Sequence, residues 1–427
     1  MTQAAYVHIP FCVSKCAYCD FNSYAGMQSV FDDYVRALVC EIEQTAGIDL
    51  EGTPAPPAGP SGASGPHPGV RCLDSVYFGG GTPTILDAAQ LTTVLDAIRR
   101  CFGIARDCEV TVEANPGTVD EAKLSALRNA GFNRLSLGVQ SFDNEFLRSI
   151  GRAHTRAQAL DAYAAAREAG FDNVGIDLIF ALPGQTVAQW ERTLDSATGL
   201  AGRSGRSPSR PDQAGCSGRS PSRPDPEHVS LYELSIEEGT RFAELCAEGR
   251  LQPLDEDVRV EMYELAIRKL SAAGYEHYEV SNFARPGFRS RHNTTYWHNQ
   301  PYYGFGAGAT SYVNGTRARR VAHACDYTAA IAKKGTVPER ERPDLIEFSE
   351  TLDPRARLGE TIVLGLRMLE GVDLARVQAD TGFDPLAEYA PEVERLTQRG
   401  LIELTDTHLR VTHSGLLLLN DVAREFV

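Results

Sequence analysis

The chain has 427 residues, 42% of them hydrophobic and 23% charged, which is the composition of an ordinary globular protein with room for one large domain and a smaller one. Its formal net charge of −15 argues against broad nucleic-acid binding. No apolar run reaches the roughly 18 residues of a membrane span, and the opening residues lack a signal-peptide pattern, so a cytoplasmic location is expected.

Taken in chain order, six strands are predicted at Ala4–His8, Ser75–Phe78, Glu109–Glu113, Arg134–Val139, Asn173–Phe180 and His228–Glu233. Amphipathic helices lie between them. One carries Phe31, Tyr34, Val35, Leu38 and Ile42 at helical spacing, and the next carries Leu91, Val94, Leu95, Ile98 and Phe102. A third is expected to begin at Thr118, with Glu121 completing a capping box, and to stop near Gly131. Repeated β–α units predict a parallel sheet, open or curled into a barrel. Two stretches interrupt the pattern. Gly52–Gly69 is built from Pro, Gly, Ala and Ser and is expected to be a disordered or extended loop, and Ala201–Pro226 carries GRSPSRPD twice and reads as a solvated linker. After Asp353, helices at Leu358–Leu369, Leu374–Thr381 and Leu386–Arg399 precede short strands at Leu401–Leu404 and Leu409–Thr412, a winged-helix pattern. The predicted organisation is 1–235 as the core, 236–350 as an extension and 351–427 as the C-terminal domain.

Chemistry concentrates in Cys12, Cys16 and Cys19, a CxxxCxxC triplet. Three thiolates at this spacing can hold three corners of a [4Fe–4S] cluster and leave the fourth iron open. Structural zinc needs a second ligand pair, and none appears. The other seven cysteines are scattered without ligand spacing and read mostly as small buried hydrophobes. Gly79-Gly80-Gly81-Thr82 follows the second strand, where glycines let the backbone approach a ligand. Glu113 closes the third strand and Gln140 the fourth, Asp177 lies within the fifth, and Arg152 follows Gln140; strand carboxyl ends are where α/β folds place ligands.

The motifs YVHIPFC, CAYCDF, GGGTPT, EANP, GVQSF and DLIFALPGQT resemble the coproporphyrinogen-dehydrogenase-like branch of the radical S-adenosylmethionine (SAM) superfamily. The resemblance covers most of the chain. It implies a partial (β/α)6 TIM-like barrel with a C-terminal α+β winged-helix-like domain. It implies a [4Fe–4S] cluster whose open iron SAM chelates, and places Tyr6, Tyr18, Gly80, Gly81, Thr82, Glu113, Gln140, Arg152 and Asp177 around one or two SAM molecules. Asp177 is then expected at the ribose hydroxyls, and Glu113 at a cofactor ammonium or hydroxyl.

The branch holds decarboxylases and haem chaperones. The decarboxylases have a longer N-terminal extension and a fourth cysteine; here the triplet starts at residue 12 and Phe21 takes the fourth-cysteine position. Arg291-His292-Asn293-Thr294-Thr295-Tyr296-Trp297 resembles the HNxxYW motif of the chaperones, with His292 implied as a haem-iron ligand and Tyr296 and Trp297 as flat faces for the macrocycle. The expected function is therefore binding of haem, a [4Fe–4S] cluster and SAM, with haem passed to an acceptor protein, soluble or membrane-bound. An electron donor is implied if the cluster turns over, and a homodimer stays open. The second reading is an oxygen-independent coproporphyrinogen III oxidase, and a third is a radical SAM enzyme acting on another tetrapyrrole or small molecule.

Overall fold

A computed structural model describes residues 4–49, 72–200, 225–333, 342 and 344–427. The loop expected at Gly52–Gly69 and all but the last two residues of Ala201–Pro226 lie outside the described residues. Six β–α units run along the chain: β1 (Ala4–Ile9) and α1 (Phe31–Asp49), β2 (Leu73–Gly80) and α2 (Ala88–Phe102), β3 (Ile104–Ala114) and α3 (Glu121–Asn129), β4 (Arg134–Gln140) and α4 (Arg156–Glu168), β5 (Asn173–Phe180) and α5 (Val187–Ala197), and β6 (His228–Glu233) and α6 (Glu256–Ala272). All six strands pair in parallel in chain order, giving the expected partial barrel.

Strand alternation decides what each face carries. Val7 and Ile9 of β1, Val76 and Phe78 of β2, Leu135 and Leu137 of β4 and Ile176 and Leu178 of β5 are buried in the main hydrophobic core. The intervening positions, among them Tyr77, Glu113, Ser136 and Asp177, are polar or aromatic and bond to one another. Apolar side chains thus seat the helices, and the polar rows are left for chemistry.

The segment after α6 extends this sheet at both edges. β7 (Glu276–Glu279) and β8 (Asn282–Ala284) add beyond β6; then comes α7 (Arg291–Trp297). β9 (Tyr302–Phe305) pairs in parallel with β1, and β10 (Thr310–Val313), β11 (Thr316–Arg320), α8 (Ala324–Ala332) and β12 (Ile346–Thr351) follow. The sheet has twelve strands in the order β12-β11-β10-β9-β1-β2-β3-β4-β5-β6-β8-β7. Phe283, Phe305, Tyr327 and Leu345 share the core of the first 235 residues, so the extension packs as part of that unit. Glu41 of α1 ties it down: its buried carboxylate accepts from the Gly306 amide (2.8 Å), Arg320 Nε (2.8 Å) and the Tyr327 hydroxyl (2.5 Å).

Three local expectations change. The cap of α3 is Asp120, which accepts from the Lys123 amide, because Thr118 closes a 3-10 turn and gives its hydroxyl to the Asn115 carbonyl. The expected helix Leu386–Arg399 is two helices, Pro385–Glu388 and Ala390–Gln398, parted at Tyr389; Pro391 has no amide to continue the ladder. The C-terminal module keeps its own core around Leu358, Ile362, Leu396 and Phe426, with a three-stranded sheet in place of a two-stranded wing because Val372–Asp373 joins it.

Candidate functional site

β1 leads into Phe11–Cys12, which pairs in parallel with Tyr24–Ala25 and closes residues 13–23 into a loop. His8 holds the far end of that loop, its Nε2 2.9 Å from the Asn22 carbonyl. Within it the Cys19 amide donates to the Cys16 carbonyl (3.2 Å), and the Ala17 amide to the Ile150 carbonyl (3.1 Å). Cys12, Cys16 and Cys19 all line a pocket of about 310 Å³ at the carboxyl ends of the strands. Burial pushes the Cys12 and Cys19 thiols up from their ordinary range.

The glycine loop forms the next wall. The Gly81 amide donates to the Ile9 carbonyl (2.9 Å) and the Thr82 amide to the Phe11 carbonyl (2.8 Å), locking it to the cysteine loop. A Cβ on Gly81 would lie 2.6 Å from the Phe11 carbonyl oxygen and 3.0 Å from Cys12 Sγ. Gly80 has φ +113°, and a Cβ there would meet the His8 ring at 2.6 Å. Both positions require glycine.

Polar groups from four strands complete the pocket. Glu113 accepts from the Tyr77 hydroxyl at 2.6 Å and the Gly80 amide at 3.2 Å; burial pushes its carboxyl up to about 7. Asp177 accepts from Ser136 Oγ at 3.1 Å, and burial raises it as well. Arg152 donates to the Gly138 carbonyl (2.6 Å), to Asn115 Oδ1 and toward Cys16 Sγ (3.7 Å), while Asn115 Nδ2 donates to Thr82 Oγ1 (2.7 Å). Gln140 adopts φ +63°, and its buried Oε1 has no partner; neither has the buried Nε of Arg152. Strained backbone of this kind clusters at ligand clamps, and a buried polar atom without a partner is costly unless something fills it.

The residues suit the groups that the sequence implies. Three thiols lining one pocket are the donor set that three corners of a cluster need. The glycine cradle, the unpartnered Gln140 and Arg152 atoms and the buried Glu113 and Asp177 carboxyls suit a cationic, hydroxyl-bearing ligand beside it. Tyr18, Gly80, Gly81, Thr82, Glu113, Gln140, Arg152 and Asp177 line this one pocket.

Two expected residues lie elsewhere. Tyr6 is outside the lining; its hydroxyl is 2.9 Å from His8 Nδ1 and its ring stacks on Tyr77. His292 is 1% exposed, with Nδ1 3.0 Å from Ser75 Oγ and Nε2 2.8 Å from the Tyr296 hydroxyl. Both ring nitrogens are therefore engaged by side chains, away from the pocket that holds the cysteines. Asn115, Ser136, Gly138, Phe21 and Tyr232 line the pocket without having been singled out as contacts. EANP contained Asn115, and alternation from Gln140 leads back to Gly138 and Ser136.

The pattern of the Radical SAM superfamily matches residues 69–197, and that of the HemN C-terminal domain matches 352–418. The chain is 36% identical to "Heme chaperone HemW" of Bacillus subtilis strain 168, over all of this chain and 99% of that protein. It belongs to the HemW family. A Mycobacterium tuberculosis HemW is 35% identical over 98% of this chain and 93% of its own length, and the Escherichia coli K12 protein is 30% identical over 99% and 97%. Escherichia coli coproporphyrinogen III oxidase (HemN) has the same fold, with a TM-score of 0.76 and 22% identity over all of this chain and 90% of that one. As a radical SAM protein of the HemW family, the chain has a [4Fe–4S] cluster and SAM as its cofactors.

Proposed function

We propose that this protein is a haem chaperone in which Cys12, Cys16 and Cys19 hold the cluster, the pocket walls hold SAM against it, and haem is cargo handed to a haem-dependent acceptor. The assignment rests first on full-length similarity to proteins named heme chaperone. The structural observation that carries it is Phe21. This side chain lines the pocket and is 63% exposed, and the family resemblance puts the fourth cysteine of the decarboxylases at its position. The Phe21 ring offers a flat apolar face beside the pocket, and it supplies no thiolate.

When bound, the reduced cluster supplies an electron that can cleave the SAM carbon–sulfur bond. The chain's own residues do the rest. Gly80 and Gly81 bring the backbone close, Glu113 and Asp177 offer acceptors to an ammonium and to hydroxyls, and Arg152 braces the Cys16 side of the loop. Among the described residues no helix is long and apolar enough to cross a membrane. We place the protein in the cytoplasm, with a soluble or membrane-bound acceptor and an electron donor only if the cluster turns over.

The test is anaerobic transfer. Reconstituted protein carrying haem should pass it to a haem-free b-type cytochrome, read by the Soret shift, and Phe21→Ser should weaken haem retention roughly tenfold or more. Robust protoporphyrinogen formation from coproporphyrinogen III with SAM and reductant would overturn the assignment in favour of the oxidase.

A further inference from the structure

The motif around His292 is built into the barrel beneath the SAM pocket. The α7 amides of Arg291 and His292 each donate to the Glu109 carboxylate at 3.2 Å. This fixes the imidazole against β2. Ser75 and Tyr77, two residues apart on that strand, face it together: Ser75 Oγ is 3.0 Å from Nδ1, and the Tyr77 ring stacks on the imidazole with centroids 5.0 Å apart and planes at 22°. Tyr296, one turn along α7, closes the far side through Nε2. The Tyr77 hydroxyl then donates to Glu113 Oε1, while Glu113 Oε2 accepts from the Gly80 amide. A continuous set of contacts therefore runs from His292 to a pocket wall.

We propose that His292 and Tyr296 are positioning residues for SAM: they fix Tyr77, and Tyr77 sets the orientation and charge of the Glu113 carboxylate. The inference rests on the reading of the pocket as the SAM site. His292 is suited to the role because burial and the nearby Arg134 push its imidazole down to about 3, leaving it neutral and both nitrogens committed at working pH. Glu113 is responsive because burial holds it near 7, with the Tyr77 hydrogen bond acting downward on it. Tyr6, Arg134, Asp177, Tyr232 and Tyr296 also act on or are acted on by this carboxyl. Removing the Tyr77 hydroxyl disfavours the ionised form and moves the titration to higher pH.

The experiment measures SAM binding to the anaerobically reconstituted full-length protein by calorimetry from pH 6 to 9, with haem binding followed in parallel. His292→Gln and Tyr77→Phe should each weaken SAM roughly fivefold to tenfold at pH 7. Tyr77→Phe should also shift half-maximal SAM binding upward in pH, while haem binds both variants as it does wild type. A variant that merely loosened the fold would lower affinity without moving the profile, and a pH-independent loss in Tyr77→Phe overturns the proposal. So does unchanged SAM affinity with lost haem in His292→Gln, which would restore His292 as the haem ligand. Failure of wild type to bind SAM would instead strike the pocket assignment itself.

Discussion

Gly81 illustrates how little freedom the pocket leaves at the scale of single residues. Its missing Cβ is the space through which the glycine loop meets Phe11 and Cys12. Gly81→Ala should displace the cysteine loop and lower the iron and sulfide content of reconstituted protein, whereas Cys16→Ala should abolish the cluster signal in electron paramagnetic resonance. Glu113 adds a pH signature to the cofactor-free protein. Its folded carboxyl titrates near 7 against an unfolded value near 4.5, so the unfolded chain releases the proton first as pH rises. Stability contributed by the protonated form is complete below pH 4.5 and is lost between 4.5 and 7, on the order of 3 kcal/mol in all. Glu113→Gln should therefore raise the melting temperature at pH 8 and change it little at pH 4. Equal shifts at both would show that the carboxyl titrates normally. These side chains are legible in the sequence because glycine runs and closely spaced thiols are local patterns; the charge state of Glu113 is not, since it depends on burial by four strands.

Elements show where local pattern suffices. The runs predicted as β5 and β6 match the observed bounds, because continuous apolar or alternating stretches leave one way to pair in a parallel sheet. Caps and breaks are less legible. Thr118 and Glu121 have the spacing of a capping box, yet the Asn115 carbonyl takes the Thr118 hydroxyl and Asp120 does the capping. The joint between α1 and the later strands is invisible in sequence, since Glu41 meets Arg320 across 279 positions. Glu41→Ala should cost about 3–5 kcal/mol in denaturant unfolding, because it removes a buried carboxylate that accepts from the Gly306 amide, Arg320 and the Tyr327 hydroxyl together. A loss below about 1 kcal/mol would mean that water reaches the site.

For the whole molecule, one pocket collects residues from the cysteine loop to Glu237, and none of its described lining lies in Ala201–Pro226. Shortening that stretch should leave cluster assembly and haem binding at wild-type levels; loss of either would give the duplicated GRSPSRPD a role in the site. The sequence by itself determined the chemistry, since a thiol triplet, a glycine loop and carboxylates within predicted strands are local patterns. It also determined the six β–α units, whose periodicity is local. Only the tertiary structure decided which inward-facing residues meet. It turned the His292 motif toward Tyr77 and the base of the pocket, because burial of α7 against β2 commits both imidazole nitrogens to protein partners. It also carried the extension onto both edges of the sheet, because the exposed edges of β1 and β6 are completed by strands that arrive much later in the chain.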